Sequence, residues 1–118
     1  MRINKHNIEF AEEVLYEGER LRTIALENGK ILFLACDLAN NIIGIKGYTK
    51  LYNAVDKRCK GDTVITFDES INPQRYKFVD VYGLMCMVFR ARECKVNRLD
   101  FIQWAQKRRI LIGPNRLR

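Results

Sequence analysis

Apolar and polar positions in the first third of the chain follow strand periodicity. The run from Ile8 to Tyr16 ends in apolar Val14, Leu15 and Tyr16, and Glu17-Gly18-Glu19 follows as a turn. From Leu21 to Leu26 the side chains alternate, with Leu21, Thr23 and Ala25 on one face and Arg22, Ile24 and Leu26 on the other. Asn28-Gly29 then precedes the apolar run Ile31 to Leu34. Asn-Gly between two apolar runs predicts a hairpin, with both residues at the positive φ of a type I′ turn. A three-stranded meander results.

The period then lengthens. Leu38, Ala39, Ile42 and Ile43 recur at helical spacing after Ala35-Cys36-Asp37, and Gly44 suits the C-terminal cap. A second short helix begins at Gly47 and carries Leu51, Ala54 and Val55 on one side, with Lys46, Lys50, Lys57, Arg58 and Lys60 along or just beyond it. Two short helices joined by a glycine-containing turn resemble a helix-turn-helix, a pattern any helical hairpin would also produce. Gly61-Asp62 is expected to break the chain before the β-branched strand Thr63 to Phe67. A polar loop, Asp68 to Arg75, leads to a returning strand, Tyr76 to Val79. Asp80 is placed to cap the helix Val81 to Arg90. That helix is apolar on nearly every side, which assigns it to the core. Asn97 and Asp100 form a capping pair for a last helix, where Phe101, Trp104 and Ala105 share a face and Leu99 and Ile102 flank it. Trp104 and Phe101 are expected to pack against the Leu84–Val88 face. Gly113-Pro114 is expected to end regular structure.

Length and charge sharpen this outline. The chain has 118 residues, the size of one domain, and 47% hydrophobic with 30% charged residues is ordinary globular chemistry. One domain over residues 1–112 with a 113–118 tail is the expected division. No apolar run is long enough for a membrane span, and the first thirteen residues lack the apolar centre of a signal peptide. A cytoplasmic setting is therefore expected, nucleoid- or nucleus-associated if DNA is bound. The net charge is +7. Residues 1–35 carry five basic against six acidic residues, whereas residues 90–118 carry nine basic against Glu93 and Asp100. Such asymmetry fits either a polyanion partner or a solvated basic face.

Chemistry beyond binding has few parts available. Cys36, Cys59, Cys86 and Cys94 form no Cys-x-x-Cys pair and have no nearby histidine, so no metal is expected and the thiols read as reduced, with Cys86 buried. The single histidine, His6, lies near the chain start, and no nucleophile elbow or phosphate-binding glycine loop occurs. Asp68-Glu69 reads as a solvated turn. Binding is expected rather than catalysis, without a cofactor.

The order of short motifs carries a resemblance. Phe33-Leu34-Ala35-Cys36-Asp37-Leu38-Ala39 is followed by Asn41-Ile42-Ile43-Gly44-Ile45, then Phe78-Val79-Asp80-Val81-Tyr82-Gly83-Leu84 and Phe101-Ile102-Gln103-Trp104. Over roughly residues 8–110 this resembles a divergent N-terminal domain of the BRO family, shared by insect-virus BRO proteins and bacteriophage antirepressors. The departures are Ile43-Gly44-Ile45 for the usual Leu-Gly-Tyr, Val81-Tyr82-Gly83 before the core helix, and Arg108-Arg109-Ile110-Leu111 after the tryptophan.

The resemblance implies an α+β domain with a mostly antiparallel meander and hairpin packed on short helices. It also implies a viral or prophage regulatory protein that binds duplex DNA. Antirepressors also grip a repressor, so a protein-binding or anti-host-defence inhibitor is the alternative, and a homo-oligomer is compatible with either. The expected contacts are Lys46, Tyr48, Lys50, Lys57, Arg58 and Lys60 on the helical pair and Arg90, Arg92, Lys95 and Arg98 on the connector between the last two helices. Tyr48 suits stacking, a phosphate bond or partial burial equally. Lys107, Arg108 and Arg109 suit both nucleic-acid contact and the C-terminal dipole of the last helix.

Overall fold

A computed structural model describes residues 2–116, with side chains through residue 108. The 113–118 tail falls partly outside those residues. Two strands, β1 (Ile8–Tyr16) and β2 (Glu19–Leu26), form the first hairpin. Its turn is Glu17-Gly18, at φ 50° and 81°. Positive φ at both central residues matches the right-handed strand twist, and glycine adopts it without a Cβ clash.

The Asn28-Gly29 turn differs from expectation. Only Gly29 has positive φ, at 87°. Its N–H donates to the Leu26 carbonyl, and the Leu26 N–H donates to the Lys30 carbonyl, each at 2.9 Å. The loop is thus the three-residue Glu27-Asn28-Gly29, a type I turn closed by a left-handed glycine. Asn28 stays at negative φ because its side-chain oxygen accepts from the Lys30 N–H at 2.9 Å.

The remaining strands are β3 (Ile31–Leu34), β4 (Lys60–Ile65) and β5 (Gln74–Val79). All five pair antiparallel in the order β1-β2-β3-β5-β4. Gly61 and Asp62 do not break the chain; they lie inside β4, opposite Phe78 and Lys77. Ladder pairing with β5 overrides their poor intrinsic strand preference.

The middle of the sheet is covered on both faces. On one side Leu21, Phe33 and Val79 pack with Leu38, Leu84, Val88 and Phe101 from the helices. On the other, Ile24, Leu32, Leu34 and Phe78 lie beneath Ile3, Phe67 and Tyr76. Strand β3, central between two covered faces, therefore buries all four of its residues.

Among the described residues there are also four α-helical segments. Helix α1 (Ala35–Asp37) widens into a π-helical turn, Leu38–Ile43. Gly44 closes it at φ 92°, donating its N–H to the Ala39 carbonyl at 2.8 Å. Helix α2 (Thr49–Asn53) follows, then α3 (Val81–Arg90) and α4 (Arg98–Arg116). Helix α2 has five residues, too short for the recognition helix of a helix-turn-helix, and its predecessor is buried.

Helix α3 starts where expected, with the Gly83 N–H donating to the Asp80 carboxylate at 2.9 Å. It is not enclosed on all sides. Tyr82 and Phe89 are 60% and 54% exposed, on the flank opposite Leu84 and Val88, and Cys86 is half-buried rather than buried. In α4, Phe101 is buried, Leu99 is exposed, and Trp104 packs on Phe101 and on Tyr16 of β1, with centroids 5.7 and 5.1 Å apart. Its backbone stays helical through Gly113-Pro114, because the bond lost at a proline is a local defect.

Two junctions hold the layers together. Asp37, 3% exposed, accepts from the Arg22 backbone N–H and Nε at 2.9 Å each and from Nη2 at 3.0 Å. The Arg22 guanidinium lies 5.3 and 5.7 Å from the Phe67 and Tyr76 rings. Bonding to Asp37 raises the Arg22 pKa further above its ordinary value, despite burial acting against the charge. At the second junction α3 is pressed onto the start of β4. A Cβ on Gly83 would stand 2.8 Å from the Cys59 carbonyl oxygen, 2.8 Å from Val79 Cβ and 3.1 Å from Val55 Cγ1.

Both junctions are testable by urea unfolding. Gly83→Ala should lower stability by about 1–3 kcal/mol, because a backbone carbonyl cannot swing aside as a side-chain tip would. A loss below about 0.5 kcal/mol would show that α3 is free to lift. Asp37→Ala should cost about 3–5 kcal/mol, since it leaves a largely buried guanidinium uncompensated.

Candidate nucleic-acid interface

Cations from three separated stretches of the chain meet beside β4. Arg2 precedes the first strand, Lys57 opens a 3-10 turn (Lys57–Cys59), Lys60 follows it at the start of β4, and Lys77 lies on β5. Together with Ile3, Tyr52, Gly61 and Asp62 they line an open groove of about 610 Å³. The register that sets Asp62 opposite Lys77 puts these two side chains on the same face of the sheet edge.

Tyr52 forms the floor. Its ring lies under the Lys60 and Lys77 ammonium groups, at 4.8 and 5.4 Å from the centroid, a cation–π arrangement on both. Its hydroxyl donates to the Gly61 carbonyl at 3.3 Å. Burial first, then the Asp62 and Tyr48 charges, push the Tyr52 phenol up to about 12, so it remains a neutral donor at physiological pH. Lys60 Nζ donates to the carbonyls of Tyr52 and Asn53 at 3.0 and 3.3 Å, closing the C-terminal end of α2. With three N–H donors on an ammonium, the same lysine can cap the helix and present charge to the groove.

Of the residues expected from the sequence, Lys57 and Lys60 line the groove. Lys46 and Lys50 are exposed on the neighbouring segment. Tyr48 is half-buried edge-on against Tyr52, with centroids 6.1 Å apart, and burial raises its phenol pKa. Arg58 turns back to Asp56, bonding both carboxylate oxygens at 3.1 Å and holding that carboxyl down to about 2. Arg90, Arg92 and Lys107 are exposed. The side chain of Arg109 lies outside the described residues.

Beyond Arg58 and Lys60, three more of the expected contact residues are engaged within the protein. Lys95 pairs with Glu19, and its backbone N–H donates to the Ile43 carbonyl at 2.9 Å. Arg108 pairs with Glu12. Arg98 reaches back to donate to the carbonyls of Val88 at 3.1 Å, Ala91 at 2.8 Å and Arg92 at 3.1 Å, closing the C-terminal end of α3. The cation-rich connector is thus in part a structural clasp.

Arg2 and Lys77 were not legible as site residues. Lys77 alternates with Tyr76 and Phe78 as in any strand, and only the β4–β5 register brings it near Lys60, over the same Tyr52 ring. Elsewhere the chemistry is sparse. Burial raises the pKa of the Cys36 and Cys59 thiols, which disfavours the reactive thiolate. Asp68 accepts from the Ser70 N–H and hydroxyl at 2.9 and 2.8 Å, a turn bond that lowers its pKa. Among the described residues no group of three His, Cys, Asp or Glu is placed to hold a metal, and no helix is long and apolar enough to cross a membrane.

Urea unfolding distinguishes clasp from surface charge on the connector. Arg98→Gln should cost about 1.5–3 kcal/mol, as charged hydrogen bonds to three carbonyls are lost. Arg92→Gln, on an exposed side chain, should stay within about 0.5 kcal/mol. Equal effects would contradict the clasp. Compared with known proteins, the chain matches no family model, no curated protein and no solved structure.

Proposed function

We propose that this protein is a DNA-binding regulatory domain of the BRO type, viral or prophage-encoded, that holds duplex DNA along the groove of Arg2, Lys57, Lys60 and Lys77. The observation that carries the reading is the convergence of four cations from distant parts of the chain on one groove whose lining, among the described residues, includes a single acid, Asp62. A merely solvated basic face needs no such convergence. Phosphate contacts of this kind position a duplex without reading its sequence, and neutralising phosphates releases counterions. The order of motifs along the chain supports the BRO assignment, and the five-stranded antiparallel sheet with short helices is compatible with it.

A second reading has its own support. Tyr82 and Phe89 are exposed on one flank of α3, and Leu99 is exposed at the start of α4. Exposed aromatic groups of this size are what protein interfaces use as anchors, which favours a repressor-binding or host-defence-inhibiting role.

Fluorescence anisotropy with a labelled duplex separates the two. Four phosphate contacts predict a loss of about 10²-fold in affinity between 50 and 200 mM salt. Lys57→Glu with Lys77→Glu should weaken binding at least about tenfold, equivalent to about 1.4 kcal/mol. Binding indifferent to salt, or unaffected by the double reversal, would overturn the groove reading and leave the α3 flank as the functional surface.

A further inference from the structure

The groove does not end at Asp62. A second open cavity of about 720 Å³ lies beside it, lined by Arg2, Asn4, Lys5, Thr63 and Arg75 among others. The two share Arg2, Ile3 and Asp62 in their walls. Asp62 is also the one acid that lines either cavity among the described residues. It sits at the waist between two basic lobes, and there Arg75 Nη1 donates to its Oδ1 at 2.9 Å.

We infer that the two cavities are successive lobes of one channel for a nucleic-acid backbone, and that the Asp62–Arg75 pair is the gate between them. This rests on the reading of the first lobe as a DNA track. Both partners of the pair are well exposed, at 61% and 45% of their side-chain surface, so the bond is weak and easily exchanged. A phosphate offers Arg75 a bidentate partner, whereas the recorded contact to Asp62 runs through one guanidinium nitrogen. An isolated anion entering the second lobe meets the Asp62 charge and gains little. A phosphodiester chain already held by Lys57, Lys60 and Lys77 presents its next phosphate at high effective concentration, and that phosphate takes Arg75 from Asp62. The gate therefore favours polymeric over free phosphate.

The test uses the whole chain and a labelled duplex, with affinity measured by anisotropy across a salt series. Asp62→Asn removes the repulsion at the waist and should tighten binding about threefold to tenfold. Glu93→Gln adds the same charge on the exposed α3–α4 connector and should change affinity less than about twofold. Arg75→Gln should weaken binding and reduce the logarithmic salt slope by about 0.9, the loss of one phosphate contact. The same change in the Asp62→Asn background should erase its gain. If Asp62→Asn matches the parent protein or Glu93→Gln, or if Arg75→Gln leaves the slope unchanged, the gate is wrong while the first lobe stands. If the parent protein shows no salt-dependent binding, the groove reading falls and the gate with it.

Discussion

The architecture depends on the fork between Arg22 and Asp37. The carboxylate at the end of the first helical turn after β3 takes three hydrogen bonds from one residue of β2, two from its guanidinium and one from its backbone. That fixes where the chain leaves the sheet. The guanidinium in turn lies over Phe67 and Tyr76, which belong to the second hairpin. One desolvated pair thus links meander, helical turn and hairpin. A carboxylate held by a bidentate arginine has little rotational freedom, so the link also sets orientation.

The groove is a consequence of the second junction, around Asp80. Its carboxylate caps α3 and lies 3.4 Å from Lys30 Nζ, and its N–H donates to the Cys59 carbonyl at 2.9 Å. That last bond leads β4 in beside β5, with Lys60 opposite Val79 and Asp62 opposite Lys77. Helix α2 is then held by Lys60 bonding its terminal carbonyls, and Tyr52 becomes the floor on which two lysines rest. A glycine at 83 is required because three chain segments meet there closer than a side chain permits.

Charge in this protein has two uses that look alike in the sequence. Arg22, Lys95, Arg98 and Arg108 bind carboxylates or carbonyls of distant segments and hold elements together. Lys57, Lys60 and Lys77 line an open groove, and Lys60 serves both uses, since it also bonds the terminal carbonyls of α2. The C-terminal surplus of positive charge is therefore a poor guide to the site, because some of it is committed to packing. Near the sheet edge, charges drawn from residues 2 to 77 add up to a stronger local field than their sparse placement in sequence implies.

The sequence by itself determined the elements whose signals are local. Period-two runs marked the meander, Asp80 marked the start of α3, and Gly44 marked the end of the turn after β3, because capping and alternation act between near neighbours. The α+β class with an antiparallel sheet followed from them. Tertiary structure alone decided what depends on partners far along the chain. It put Glu17-Gly18 rather than Asn28-Gly29 in the two-residue turn, since strand register selects loop length. Pairing with β5 drew Gly61 and Asp62 into a strand. One flank of α3 was left uncovered, with Tyr82 and Phe89 outside the core. Arg98 became a clasp, and Arg2 and Lys77 joined Lys60 in one groove. A charge does not reveal in sequence whether its partner is a carbonyl, a carboxylate or solvent; only the packing that brings distant segments together makes that choice.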